Sequence, residues 1–263
     1  MSQIRTYLEQ INLQKRKALS VFLSAGFPDP DTFVALAKDI YSAGADLLEV
    51  GVPFSDPIAD GPVIQRSSQL ALQNGITLHK TLQYCEQIKK NIQKPLIIMG
   101  YSNPVLKYDI HRFMKEAKNC GVDGVIIPDI PLEEYDDFWG NGGHDIDIIL
   151  LTTPTSSDDR IQAIDQKSAG FVYCVSMTGT TGIRDRFDTM AIQNLKRTYK
   201  LIKKNKMLVG FGISSPEDIL RFSPYCDGVI TGSAVIKNLM DNTEKSYKST
   251  LNLVRNLSRA CNH

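Results

Sequence analysis

The sequence lacks every arrangement of cysteine and histidine that commonly binds a structural metal or forms a disulfide framework. Its five cysteines are far apart and include no C-x-x-C pair, and its four histidines form no H-x-x-x-H pair. This pattern argues against a zinc site, predicts no metal ligands and fits a reducing compartment. The cysteines are Cys85, Cys120, Cys174, Cys226 and Cys261.

The chain also lacks an excess of charge and a long apolar run. Lys and Arg number 30 against 29 Asp and Glu, which gives no electrostatic reason to expect nucleic acid or a membrane as a partner. No run approaches the roughly 18 apolar residues of a membrane span. The first residues resemble neither a signal peptide nor a transit peptide. We therefore expect a cytoplasmic protein, or a stromal one if a plastid genome encodes it.

Short apolar runs alternate with helix-like segments along the whole chain. Runs rich in Val, Ile and Leu suit strands that are buried on both faces, as in a parallel sheet. Length alone also permits two domains, and the alternation also permits an open sheet. Eight β/α units in 263 residues favour an α/β protein with one closed (β/α)8 TIM barrel over residues 1–263. The runs are Ala18–Leu23, Asp46–Val50, Leu96–Gly100, Gly124–Ile127, Ile146–Leu151, Gly170–Val175, Met207–Gly210 and Gly228–Thr231.

Helix signals separate these runs. Residues Asp31–Ala43 carry apolar side chains at helical spacing, and Ser215–Asp218 combines a cap residue, an early proline and acids in the first turn. Ile4, Leu8 and Ile11 share one helical face ahead of the first strand. We therefore expect an extra N-terminal helix that plugs the bottom of the barrel.

Glu49 is the first candidate for chemistry, because TIM-barrel active sites lie at the C-terminal ends of the strands. It stands within an apolar strand, and alternation puts it on the same face as Leu47. Burial there would raise its pKa toward neutrality, which suits a general acid/base. The alternative is a structural carboxylate that pairs with a Lys or Arg inside the barrel.

Three aspartates also follow strand ends. Asp56 and Asp60 lie in the turn-rich loop after the second strand, and Asp129 lies after the fourth. Asp next to Pro or Gly is common in turns, so the pattern alone favours turn residues over catalytic ones. Asp60 is also a candidate N-cap for a helix that starts near Pro62.

Small residues follow the last two strands. Residues Gly210–Ser214 and Gly232–Ala234 expose backbone N–H groups and lead into helices. Loops after strands seven and eight form a recurrent phosphate site in TIM barrels, where a helix N-terminus attracts the anion. The two segments together predict a phosphorylated small-molecule substrate. Residues Gly179–Gly182, after strand six, are a candidate lid.

The segment from Leu48 to Gln65, which reads LEVGVPFSDPIADGPVIQ, closely resembles the signature of the tryptophan synthase alpha chain family. The resemblance runs from the first strand to the last helix. Further segments that are similar in order and spacing are Phe22–Gly26, Pro128–Pro131, Gly210–Pro216 and Thr231–Val235.

This resemblance implies a carbon–carbon lyase of tryptophan biosynthesis that cleaves indole-3-glycerol phosphate to indole and glyceraldehyde 3-phosphate in a retro-aldol step. It implies that Glu49 moves protons between the indole C3 and the glycerol hydroxyl. It also implies that Asp60 binds the indole N–H and stabilises positive charge on the ring, against the turn interpretation. Phe22, Tyr101 and Tyr173 would form the wall of the indole pocket.

Further substrate contacts follow from the same resemblance. Thr181 corresponds to a loop residue that orders Asp60 when the site closes. The remaining implied binding residues are Gly182, Phe211, Gly212, Gly232 and Ser233, most of them around the phosphate.

The resemblance also implies a partner, a beta chain that carries pyridoxal phosphate, in an alpha2-beta2 heterotetramer. The alpha chain itself would need no metal or organic cofactor. The implied docking loops are Pro53–Asp60, Tyr101–Leu106 and Pro128–Leu132. The rival interpretations are a different sugar-phosphate TIM-barrel enzyme and an inactive barrel subunit, and the pairing of Glu49 with Asp60 favours the lyase over both.

Overall fold

Eight parallel strands pair in chain order, and the last pairs with the first, in a computed structural model that describes residues 2–140, 144–176, 184–210, 212–242 and 246–262. Because every strand has two neighbours, the sheet has no open edge. The predicted closed barrel is confirmed. The strands are β1 (Ala18–Ser24), β2 (Leu47–Gly51), β3 (Leu96–Met99), β4 (Gly124–Ile126), β5 (Asp147–Thr152), β6 (Phe171–Val175), β7 (Lys206–Gly210) and β8 (Gly228–Thr231).

The ends of the predicted runs differ from these strands by at most one residue. Asp46 shows why such ends shift. It was expected to begin the second strand, but it lies just before β2, where its carboxylate accepts the Leu19 N–H at 3.0 Å and pairs with Arg16 at 3.1 Å. The side chain therefore links the starts of β1 and β2 below the barrel.

Helices fill the connections and surround the sheet. The helix predicted over Asp31–Ala43 spans Phe33–Ser42, so it begins two residues later and ends one residue earlier than predicted. No helix of the described ranges is long and apolar enough to cross a membrane. The helices are α1 (Gln3–Leu13), α2 (Phe33–Ser42), α3 (Pro62–Gln73), α4 (Leu78–Lys89), α5 (Ser102–Tyr108), α6 (Ile110–Asn119), α7 (Tyr135–Trp139), α8 (Asp158–Lys167), α9 (Arg184–Leu201), α10 (Pro216–Phe222), α11 (Ser233–Asp241) and α12 (Lys248–Ala260).

The N-terminal helix α1 closes the bottom of the barrel, as its pattern predicts. Ile4 and Leu8 are fully buried and Ile11 is almost so. They pack in one cluster with the inward-facing side chains of the strands, among them Leu47 and Phe171. The opposite end, where the strands have their C-termini, is called the mouth below.

We predict that Leu8→Ala lowers the free energy of unfolding by about 2–5 kcal/mol, because Leu8 is 0% exposed and truncation leaves a cavity under the strands. Leu13→Ala is the matched control on the same helix, since Leu13 is 84% exposed. Its effect should stay within about 0.5 kcal/mol. Urea unfolding measures both, and equal effects would show that α1 does not plug the barrel.

Candidate active site

Glu49 lies in the interior of the barrel, in the middle of β2. In register it stands beside Phe22 of β1 and Ile97 of β3, and only 1% of it is exposed. The Ser20 hydroxyl donates a hydrogen bond of 2.7 Å to Oε1 of Glu49. Its other oxygen, Oε2, is buried and has no hydrogen-bond partner among the described residues. One carboxyl oxygen is therefore held by the protein and the other is not.

Burial raises the pKa of Glu49 to about 7, and the hydrogen bond from Ser20 opposes part of that rise. The carboxyl group thus exchanges protons near neutrality, which suits a general acid/base. Across the described ranges Glu49 forms no ion pair with a Lys or Arg. The described residues therefore give no support to the alternative of a structural carboxylate paired with a cation.

Asp60 lies at the mouth, half-buried in the loop between β2 and α3. Burial raises the pKa of Asp60 to about 6, and a hydrogen bond with Tyr101 opposes this. The suggestion that Asp60 caps α3 is wrong, because Gly61 is the N-cap and no side chain bonds the helix start. The Ala59 N–H donates to the Tyr101 hydroxyl at 3.1 Å, which ties the Asp60 loop to the strand-three loop.

Two concavities meet at the mouth. A narrow cleft of about 10 Å³ lies between Phe22, Asp60 and Tyr101, room for about one water. A cavity of about 600 Å³ lies beside it, and Tyr173 is in its wall. Met99 lines both, so they are adjacent. An indole ring placed against Asp60 would have to widen the narrow cleft.

Tyr173 is brought close to both carboxylates. It is buried on β6, and burial, followed by the charges of Glu49 and Asp60, raises the pKa of its hydroxyl well above the usual value. A Cβ at Gly210 would lie within 3.0 Å of the Tyr173 ring and hydroxyl, and one at Gly51 would lie equally close to the Phe22 ring. Any other residue at Gly210 or Gly51 would therefore collide with the Tyr173 ring or the Phe22 ring, respectively.

The loops after β7 and β8 lie together at the mouth. The Thr231 hydroxyl donates to the Ile213 carbonyl at 2.8 Å and joins them. Gly232 is the N-cap of α11 and Ser233 is its first residue, with no side chain bonded to the helix start. The first N–H groups of α11 have no partner within the helix and can meet an anion.

The start of α10 differs from that of α11. The Asp218 carboxylate accepts the N–H groups of Ser214 and Ser215 at 2.9 and 3.0 Å, and the Ser215 hydroxyl caps the helix in return. The predicted helix start at Ser215–Asp218 is confirmed as a capping box. The predicted phosphate loop, however, included Ser214, whose N–H is already used. The predicted anion site is therefore limited to the turn around Gly212 and the start of α11.

Several expected contacts lie outside the described residues. They are Gly179, Thr181, Gly182 and Phe211, so the lid and part of the phosphate cradle stay predictions.

The other two aspartates do not join Glu49. Asp129 accepts the N–H of Ser102 at 3.0 Å and its hydroxyl at 2.6 Å, and so holds the start of α5. Asp56 is exposed and accepts a hydrogen bond from the Ser55 hydroxyl. In the described part of the chain, no group of three or more His, Cys, Asp or Glu side chains is arranged to hold a metal.

Sequence reasoning missed Ser20. A signal was available, because Ala18, Ser20 and Phe22 alternate on the inward face of β1. A lone serine among apolar residues, on the strand next to that of a buried carboxylate, is a candidate partner for that carboxylate. In the register of β1 and β2, Ser20 is aligned with Leu47 and not with Glu49. The hydrogen bond from Ser20 to Glu49 is therefore diagonal, and finding it also requires the offset between the two strands.

The fold and the site define a TIM barrel that holds a carboxyl group of raised pKa in its interior, with the start of α11 at its mouth. The family model described as "Tryptophan synthase alpha chain" matches residues 8–262. The tryptophan synthase alpha chain of Flavobacterium psychrophilum is 41% identical over 231 residues, 87% of this chain and 91% of the relative. That of Geotalea uraniireducens is 42% identical over 238 residues, 90% of this chain and 89% of the relative.

Solved structures agree with these relatives. The tryptophan synthase alpha chain of Legionella pneumophila has a TM-score of 0.86 at 33% identity and covers 99% of this chain and 97% of its own. A chain of M. tuberculosis tryptophan synthase in its aminoacrylate-bound form has a TM-score of 0.87 at 30% identity, with 99% and 100% covered.

The chain belongs to the tryptophan synthase alpha chain family. It is a carbon–carbon lyase of tryptophan biosynthesis that cleaves indole-3-glycerol phosphate to indole and glyceraldehyde 3-phosphate. The rival interpretations, another sugar-phosphate barrel enzyme and an inactive barrel, give way to this assignment.

We predict that Glu49→Gln stabilises the fold above neutral pH. A carboxyl whose pKa rises from 4.5 to about 7 on folding binds its proton more tightly when folded. The wild type therefore loses stability as pH rises from about 4.5 to 7, by on the order of 3 kcal/mol, and a neutral glutamine escapes this loss.

Urea unfolding at pH 8 and at pH 4.5 measures the effect. The variant should be the more stable protein at pH 8, and its advantage should shrink toward pH 4.5. Glu86→Gln is the control, because that glutamate is exposed and its replacement should matter little at either pH. A wild type as stable as the variant at pH 8 would contradict the raised pKa.

Proposed function

We propose that Glu49 is the general acid/base of the cleavage reaction. The observation that carries this proposal is a carboxyl group inside the barrel with a pKa of about 7 and one oxygen that has no hydrogen-bond partner among the described residues. Protonated Glu49 gives its proton to the indole C3. As the C–C bond then breaks, the glycerol hydroxyl that becomes the aldehyde gives its proton back to the carboxylate. The carboxyl group ends as it began.

We propose that Asp60 is the anion beside the indole ring. Protonation at C3 leaves positive charge on the ring, and a carboxylate that accepts the indole N–H stabilises that charge. With a pKa of about 6, Asp60 is ionised at neutral pH while a share of Glu49 stays protonated. Two acids in different surroundings thus hold the two protonation states that the reaction needs.

The indole ring would lie between aromatic side chains in the adjoining cleft and cavity. Phe22 and Tyr101 line the cleft with Asp60, and Tyr173 lines the cavity. Phe54 stacks on Tyr101 with ring centroids 5.3 Å apart, which supports the Tyr101 ring from behind. Large apolar faces with few polar groups suit a flat aromatic ligand.

The substrate phosphate would bind at the turn around Gly212 and at the start of α11. Gly232 and Ser233 lie at the helix start, where the N–H groups have no partner within the helix, and the helix dipole favours a dianion. Binding energy from this remote group positions the reacting carbon near Glu49. Thr181, Gly182 and Phe211 complete the predicted substrate contacts.

We propose that the mouth docks on a tryptophan synthase beta chain in an alpha2-beta2 heterotetramer. Two large apolar side chains are exposed there, Ile58 at 82% on the loop after β2 and Leu106 at 55% on α5, and protein contacts would bury them. The segment Tyr101–Leu106, expected as a loop, is mostly the helix α5. Hydrogen bonds connect the predicted docking segments, from the Ala59 N–H to the Tyr101 hydroxyl and from the Ser102 N–H to the Asp129 carboxylate. A partner seated on them would therefore act on the loop that holds Asp60.

Pyridoxal phosphate would belong to the beta chain, which consumes the indole, and the alpha chain would work without a cofactor of its own. We also propose that residues 1–263 form a single domain. The family match over residues 8–262 and the ring of eight strands support that division.

Replacing Glu49 by Gln should reduce indole release from indole-3-glycerol phosphate by about 100-fold or more, because the amide cannot exchange the proton. The assay is run on the chain alone and with a beta chain. We expect the beta chain to raise wild-type activity and to leave the variant inactive. Wild-type turnover in the variant would refute the role of Glu49, and no indole from either protein would refute the lyase function.

Asp60→Asn should lower kcat/KM by about 100-fold, because a neutral amide cannot stabilise the ring cation. The variant should still bind a phosphorylated indole that lacks the cleavable bond, since the phosphate site is untouched. Asp137→Asn, an exposed aspartate far along the chain, is the control and should behave as wild type. Unaltered kinetics in Asp60→Asn would contradict the proposed role.

A further inference from the structure

Ser20 is the one residue described as a hydrogen-bond partner of the Glu49 carboxyl. It lies on the inward face of β1 and is 0% exposed, and its hydroxyl donates to Oε1 at 2.7 Å. Its register neighbours are Leu47 on β2 and Ile230 on β8, both apolar. The structure describes no other partner for this hydroxyl. A hydroxyl buried among apolar neighbours is costly unless it is bonded, so its bond to Glu49 is firmly kept.

A donor fixed on one carboxyl oxygen makes the two oxygens unequal. While Ser20 donates to Oε1, a proton on Oε1 would oppose that bond, so a protonated Glu49 carries its proton on Oε2. The same bond is stronger to the carboxylate than to the neutral acid. Ser20 thus favours ionisation and fixes which oxygen transfers the proton.

We propose that Ser20 is a positioning residue for the lyase reaction, which holds Oε1 of Glu49 so that Oε2 alone gives and recovers the transferred proton. This inference rests on the proposed role of Glu49. The proton leaves Oε2 for the indole C3, and the proton of the glycerol hydroxyl returns to Oε2 as the C–C bond breaks. The bond from Ser20 to Oε1 persists through both transfers and keeps the carboxyl group from rotating.

Two other titratable groups near Glu49 are Tyr173 and Asp60, and the pKa of each differs from that of Glu49. Tyr173 on β6 interacts electrostatically with Glu49, and burial and nearby charges raise the pKa of its hydroxyl so far that it stays neutral throughout. Asp60 interacts with the same tyrosine and has a pKa of about 6, below that of Glu49. We therefore expect the acid limb of the pH profile of kcat/KM to follow Asp60 and the basic limb to follow Glu49.

The test compares Ser20→Ala with Ser67→Ala. Ser67 is also a fully buried serine, but its hydroxyl meets Ser24 at 2.6 Å and no carboxylate. In each full-length chain, carbon NMR of labelled glutamate side chains follows Glu49, which is assigned by its loss in Glu49→Gln. The pH profile of kcat/KM is measured with the beta chain. Ser20→Thr keeps the hydroxyl and serves as the rescue variant.

We expect Ser20→Ala to raise the Glu49 pKa and the basic limb together, by on the order of one pH unit. Ser67→Ala should move neither, and Ser20→Thr should restore both. If Ser20→Ala does not fold, Ser20→Cys gives the same comparison, since a thiol is a weak donor. An unchanged Glu49 titration, with only a loss of thermal stability, would overturn the proposal.

The two readouts separate this inference from the proposed function. If the titration of Glu49 moves but the basic limb does not, Ser20 controls Glu49 and Glu49 is not the acid of the reaction. That result would overturn both the role of Ser20 in catalysis and the proposed role of Glu49. If Glu49→Gln is inactive and Ser20→Ala leaves both readouts unchanged, the function stands and Ser20 is only structural.

Discussion

The pairing of β1 with β8 is the contact on which the rest of the molecule depends. It closes the sheet, so every second side chain of eight strands points into one shared interior, where Glu49 is only 1% exposed. α1 closes one end of that interior, and the loops at the other end form the mouth. A polar group inside must therefore find its partner inside, which is why Ser20 and Glu49 meet across two neighbouring strands.

Closure also sets the acidity of the site. Burial raises the pKa of Glu49, so ionised Glu49 lowers the free energy of unfolding. Other interactions in the barrel must offset this loss of stability. Burial raises the pKa of Asp60, at the mouth, as well. The molecule thus holds two carboxyl groups of raised pKa, one inside the barrel and one in the loop at its mouth, and neither forms an ion pair with a cation in the described residues.

Much of this arrangement was predictable from the sequence, because it depends on local periodicity. Runs of apolar residues locate the strands, and alternation puts Glu49 inside. What periodicity cannot supply is contact between distant segments. The stagger of β1 against β2 decides that Ser20 reaches Glu49, and the turn before α10 decides that Asp218 takes the N–H of Ser214. The expected cap at Asp60 was wrong because Gly61 is the N-cap of α3 instead.

The N-terminal helix that closes the bottom of the barrel affects how the protein folds during its synthesis. α1 is made before the strands that it covers, and its Asn12 amide donates to the carbonyl of Asp227, 215 residues further along the chain. An isolated helix of this length is marginal in water. During synthesis the apolar face of Ile4 and Leu8 therefore stays uncovered until the segment that contains Asp227 and β8 has also been made. The helix α1 therefore docks only after the strands that follow it in the chain have formed the barrel.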